Sequence, residues 1–239
     1  MERKNMIEIL NEFDKDSDEI IKQNSYSNLY LMLNKQYDLM LNIIQTRNLY
    51  KYGIDNLFKN MILSIFDELN EYIDVIFAYE LSEEKRKIEA LFELVDALHF
   101  IFQLHFLGTI KKKNYSILDL FNKEEIRNEI INYAYNDFKT LTCDSTLVSI
   151  NLNSEVIRDL YIEMMQITSE ILQYIHWKHW KTYTNFEYDL FREQLVLLYK
   201  KVLFNFKLVS QDEKNYEYLI VKYYVTKNIE NFDRQIRGY

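Results

Sequence analysis

Apolar residues recur along this chain at intervals of three and four, the spacing that gathers them on one stripe of an α-helix. Ile7, Leu10 and Phe13, then Ile20 and Ile21, predict a first helix that stops before Asn24-Ser25. Leu29, Leu33, Tyr37, Met40 and Ile44 predict a second, from about Ser27 to Gln45. Gly53 breaks the pattern, and Asp55 is placed to cap a long third helix reaching about Tyr79. Ser82 followed by Glu83-Glu84 marks the start of a fourth, which carries Ile88, Leu91, Val95, Leu98 and Phe102 and closes by Gly108. A fifth starts at Ser116 or Asp119 and ends near Phe138. The sixth runs from Ser154-Glu155 to about Trp180, the seventh from Phe186 to Val209, and the last opens at Asp212-Glu213 and continues through Tyr224 toward Asn231. The run from Thr140 to Thr146 is the least helical and reads as a link between two halves, about 27–138 and 154–239, of a single domain covering 1–239.

Composition strengthens the all-α reading. The 239 residues include three Gly and no Pro, where average usage gives about 17 and about 12. Sheets, barrels and sandwiches need turn residues every few positions, so a helical bundle is the fold class expected. The net charge of −8 argues against a nucleic-acid binder, whose surface must neutralise phosphates. Cys143 is the only cysteine, which fits a reducing, cytoplasmic setting. The N-terminal Met1 to Asn5 has no signal-peptide apolar region behind it. Ala97 to Ile110, the most apolar stretch, is interrupted by His99, Gln103 and His105 and falls short of a membrane span. No membrane partner is expected.

The chemistry concentrates in two short runs. The third helix holds Glu68-Leu69-Asn70-Glu71 and the fourth holds Glu93-Leu94-Val95-Asp96. Acids three apart project from one face of one helix. Twenty-one residues separate the pairs, enough to finish a helix, turn and return antiparallel, so four carboxylates can converge. Unpaired buried charges cost several kcal/mol each, so such a group needs cations. An all-oxygen set suits Mg2+, with Mn2+ as a substitute. Mg2+ keeps several waters and takes up substrate phosphates. A bland solvated helix face also carries acids three apart, but the second pair sits in Leu91 to Phe100, an almost wholly apolar setting.

With E-x-x-E followed a helix later by E-x-x-D and then His99-Phe100, the chain resembles the dimeric all-α dUTPases of the all-α NTP pyrophosphohydrolase superfamily. A second block from Lys227 to Tyr239 resembles the family's C-terminal K-N-x-x-N-x-x-R-Q-x-x-G-Y run, in the variant of Gram-positive bacteria and their phages. The resemblance implies a Mg2+-dependent hydrolase, a dUTP diphosphatase acting as a homodimer and releasing dUMP and pyrophosphate. Glu68, Glu71, Glu93 and Asp96 would hold two or three Mg2+, and Glu68 or Glu71 would orient or deprotonate the attacking water. Lys227 and Arg234 would grip phosphate oxygens, with Asn231 and Tyr239 adding neutral hydrogen bonds and His99 beside the substrate. Asn34-Lys35-Gln36-Tyr37-Asp38 falls where the family carries Q-x-x-L-[ND] for the base, with Asn34 for Gln and Tyr37 for Leu; Asn34 and Asp38 are the base contacts this register gives.

The second half echoes the first with its acids mostly lost. Glu170 to Gln173 sits like Glu68 to Glu71, and Gln194 and Leu197 stand where Glu93 and Asp96 would be. A degenerate repeat that supports one active half is the expectation. The run His176 to Lys181 matches a family W-K-H-W-K segment but follows the degenerate copy. Two other functions fit the same residues: pyrophosphohydrolysis of another nucleotide such as dCTP, and a non-catalytic helical interaction or regulatory protein that keeps the fold.

Overall fold

The computed structural model describes residues 6–24, 27–121, 123–139, 155–175, 186–212 and 215–238. Among these, eight α-helices and no strand are found: α1 (Met6–Gln23), α2 (Asn28–Thr46), α3 (Ile54–Ile76), α4 (Glu83–Lys113), α5 (Glu124–Phe138), α6 (Glu155–Gln173), α7 (Tyr188–Ser210) and α8 (Tyr216–Arg237). The link from Thr140 to Thr146, Cys143, the His176 to Lys181 run and Tyr239 lie outside the described residues.

The ends of the helices follow their local chemistry. Ser27 and Ser82 cap α2 and α4, each hydroxyl accepting from the backbone N–H three residues on. At the start of α3 the cap is Gly53, with φ of 73°, a left-handed conformation that costs an L side chain dearly. Asp55, predicted as the cap, lies inside the helix and pairs with Lys111 of α4.

α4 is the axis of the molecule. It packs against α1, α2, α3, α5, α7 and α8, and all but one of the residues from Ala90 to Ile110 are buried. Being surrounded, it is apolar on nearly every side, as a central helix must be. By length and composition it could cross a membrane, contrary to the expectation for this stretch, but 94% of that window is buried inside the bundle, which fits the core helix of a soluble protein. The helix also runs through Gly108 instead of closing there. The reason is packing: a Cβ on Gly108 would lie 2.6 Å from Phe191 Cε1, so the missing side chain lets α7 approach.

The two helical hairpins meet like to like. α3 pairs with α4 and α6 with α7, while α3 also packs on α6 and α4 on α7. α8 then packs against α1, α2, α4 and, more lightly, α7. Lys222 of α8 pairs with Asp14 at 2.6 Å, and Asn228 donates to the Lys35 carbonyl of α2 at 3.2 Å.

Gly108→Ala should lower the melting temperature. Overpacking a tight contact costs about 1–3 kcal/mol, more than the roughly 1 kcal/mol that Ala gains over Gly in a helix. A thermal melt showing a rise would contradict the close contact with Phe191.

Candidate metal and phosphate site

The sequence places Glu68 and Glu71 on α3 and Glu93 and Asp96 on α4, and the antiparallel hairpin brings them together. One carboxylate oxygen each from Glu68, Glu71 and Glu93 lies within 4.8 Å of the others. Glu93 is 5% exposed and Asp96 7%, whereas Glu68 and Glu71 are half-buried on the open side. The neighbouring apolar residues explain the burial. Leu69 and Tyr72 on α3, and Phe92, Leu94 and Val95 on α4, are fully buried and fix which face each helix turns inward.

Crowding shows in the acids' affinity for protons. Burial, then the charges of Asp96, Glu93 and Glu71, pushes Glu68 up to about 9, and its carboxyl donates a hydrogen bond to Glu93. Burial and the Asp96 charge likewise push Glu93 up to about 7, against the pull of Lys227. Glu93 Oε2 is buried with no hydrogen-bond partner among the described residues. A set of close carboxylate oxygens with an orphaned buried lone pair fits a hard cation such as Mg2+ or Mn2+. Glu68, Glu71 and Glu93 are the residues that could hold it.

Asp96 stands slightly apart. Its Oδ2 is 2.8 Å from Nζ of Lys227, a lysine of α8 that is 1% exposed. Burial alone would lower the Lys227 pKa, but Asp96 and Glu230 outweigh it and the net shift is upward. Lys227 therefore stays charged and neutralises part of the acid group. Nζ also lies 3.3 Å from Glu230, and Glu230 in turn accepts from Arg234. Asn231 sits half-buried between these residues on the same helix. The structure thus brings Lys227, Asn231 and Arg234 onto the helix that covers the acids.

His99 lies two turns beyond Glu93 on α4. It stacks on Tyr224 of α8 with centroids 4.0 Å apart, and its Nδ1 donates to Gln36 Oε1 of α2. Tyr224 donates to the same oxygen at 2.7 Å. Burial, with the Lys227 charge, drives the His99 pKa down to about 3, so the ring is neutral. Gln36 Nε2 and His99 Nε2 are left buried with no partner among the described residues. One is a donor and the other, in this tautomer, an acceptor.

The expected base contacts, Asn34 and Asp38, are engaged by another helix. Asn34 and Asp38 turn away from His99 and are bound by Arg127 of α5, at 3.1 Å and 2.6 Å. Asn34 lines a cavity of about 490 Å³ with Lys35, Glu124 and Arg127, and none of the four acids lines it. The physical reason is rotation: residue 36 is about 200° around the helix from both 34 and 38. The sequence reading missed Gln36, Tyr224 and Glu230. The first carried a partial signal: Gln36-Tyr37-Asp38-Leu39 is itself Q-x-x-L, although Met40 stands where that pattern has Asn or Asp.

No protein-family model, no curated protein and no solved structure matches this chain.

Two outcomes follow from the charges. Glu68 and Glu93 hold protons more tightly folded than unfolded, so their contribution to stability is full below their ordinary pKa and is lost as pH rises through about 7 and about 9. The melting temperature of metal-free protein should therefore fall across that range, and Glu68→Gln should flatten the fall; a flat profile in the parent chain would contradict the crowding. Lys227→Met should cost about 3–5 kcal/mol in urea unfolding by stranding Asp96, and adding Asp96→Asn should restore most of it.

Proposed function

We propose that this protein is a Mg2+-dependent nucleoside triphosphate pyrophosphohydrolase, acting on dUTP as a homodimer. The observation that carries the reading is the convergence of acids from α3 and α4 beneath a buried lysine of α8. A triphosphate carries about four negative charges, which an acidic protein accommodates only through metal ions and a few well-placed cations. When bound, Mg2+ supplies charge neutralisation and polarises the phosphoryl oxygens.

The chain's own residues supply the rest. Lys227, a point charge, and Arg234, a planar fork, suit phosphate oxygens. Glu68 and Glu71 line the open side, where one of them takes the proton of the attacking water. The water oxygen bonds to phosphorus as a P–O bond of the α–β bridge breaks, and dUMP and pyrophosphate leave. Positioning and electrostatic stabilisation of the developing phosphate charge account for the acceleration.

The unpaired Nε2 atoms of Gln36 and His99 bear on the base. A donor and an acceptor match in kind O4 and N3–H of uracil. The same two atoms match N3 and the amino group of cytosine, so dCTP is the second substrate this observation favours.

Pyrophosphate release from a panel of deoxynucleoside triphosphates tests the reading. Mg2+-dependent turnover of dUTP, with dCTP next, is expected. Glu71→Ala and Asp96→Ala should lower the rate by about a thousandfold or more with helicity retained. Absence of turnover on every triphosphate, or full activity in either variant, would contradict it, and light scattering at a monomer mass would remove the dimer.

A further inference from the structure

Along α8 the charges alternate: Lys227, Glu230 and Arg234 follow at intervals of three and four, so the three side chains share one stripe. Pairs at these spacings are usually surface decoration worth a few tenths of a kcal/mol. This one is different in its burial. Lys227 is 1% exposed and Glu230 7%, and one carboxylate engages both cations, with Oε2 3.3 Å from Nζ of Lys227 and Oε1 accepting from Arg234. Oε2 has no hydrogen-bond donor in ordinary geometry among the described residues. It is an anion held in a two-cation slot by one hydrogen bond, from Arg234 to Oε1, and otherwise by charge.

A carboxylate is a poor filling for that slot compared with a phosphate. It offers two oxygens where a phosphate offers three, and it brings a fifth acid to a place that already holds Glu68, Glu71, Glu93 and Asp96. We infer that Glu230 is a resident place-holder: its carboxylate occupies the Lys227–Arg234 anion site in the free protein and is displaced by the phosphate chain of the substrate. This inference rests on the pyrophosphohydrolase reading and adds to it a residue that sets affinity for the polyphosphate without holding it. In the free protein the place-holder keeps both cations aimed at one point and prevents Lys227 from being neutralised by the metal-site acids alone. The exchange moves no covalent bond. One anion leaves the slot as another enters, and the freed carboxylate turns toward solvent past Arg234, the more exposed of the two cations.

The test is binding of inorganic pyrophosphate with Mg2+, followed calorimetrically on the full chain. Glu230→Gln should tighten binding about tenfold, the scale of one charge-assisted hydrogen bond no longer lost on entry. Asp233→Asn removes an equal charge one residue before Arg234, from a side chain that pairs with Arg237, and should change affinity by less than about twofold. Mn2+ binding without pyrophosphate should be unchanged in both. An equal gain in the two variants would reduce the effect to overall charge and overturn the inference. Weaker Mn2+ binding in Glu230→Gln would make Glu230 a metal ligand and overturn it too. No gain in Glu230→Gln, with pyrophosphate bound by the parent chain, would overturn the place-holder while leaving the enzymatic reading in force. Absence of pyrophosphate binding in parent and variant alike would remove both. Should Glu230→Gln lose helicity, Glu230→Asp decides the question, since it keeps the charge but withdraws the carboxylate by one methylene. A gain of about threefold is expected of it, and none would count against the inference.

Discussion

Repulsion between carboxylates is the constraint around which this molecule is organised. Two such charges within 4.8 Å of each other repel by at least about 3.5 kcal/mol at an effective dielectric constant of ~20, and here several pairs act at once. The folded chain meets the strain in three ways. Protons bind tightly to Glu68 and Glu93, Lys227 sits against Asp96, and Glu71 and Glu68 stay partly open to solvent. Raised proton affinity at Glu68 and Glu93 and the Lys227–Asp96 pair are thus how the metal-free fold accommodates the crowding.

Holding acids in that state requires a rigid frame. α4 provides it, enclosed by six other helices and unable to rotate its acidic face outward without exposing Phe92, Val95 and Leu98. α8 supplies the counter-charge from outside the hairpin, and its register is set by contacts that have nothing to do with the acids. Tyr224 stacks on His99 and donates to Gln36, and Asn228 donates to the backbone of α2. Through these, α2, α4 and α8 are locked together next to the site. The same lock leaves Gln36 Nε2 and His99 Nε2 buried without a partner among the described residues, a cost of about 1–3 kcal/mol per buried polar group.

Much of the fold was legible because helices write their period directly into the sequence. The apolar stripes, the serine caps at Ser27 and Ser82 and the lack of Pro located all eight helices, but not all their ends: α5 starts at Glu124 after a short 3-10 turn and not at Ser116 or Asp119, α6 ends at Gln173 short of Trp180, and α8 starts at Tyr216 and runs on past Asn231 to Arg237. Gly108 was misread as a stop because a glycine's reason for being in a helix can lie on another element, here Phe191 of α7. Asp55 was misread as a cap because its partner, Lys111, is 56 residues away. The acids were legible as a group since their spacing alone puts them on facing stripes. What the spacing could not give was rotation about the helix axis. On α2, Asn34 and Asp38 turn out to pair with Arg127 of α5, while Gln36 between them faces His99 and Tyr224. Glu230 carried no signal at all. Its role depends on being buried beside Lys227, a fact that only the packing of α8 supplies.

The most direct measurement is the number of protons displaced when a divalent cation binds. Titrating Mn2+ into metal-free protein near neutral pH, in buffers of differing ionisation heat, counts them. Because Glu68 and Glu93 hold protons above the ordinary carboxylate range, saturable binding with release of about one proton per site is predicted. Saturable binding with no proton release, or no binding at millimolar Mn2+, would contradict the account of a carboxylate group held in wait for cations.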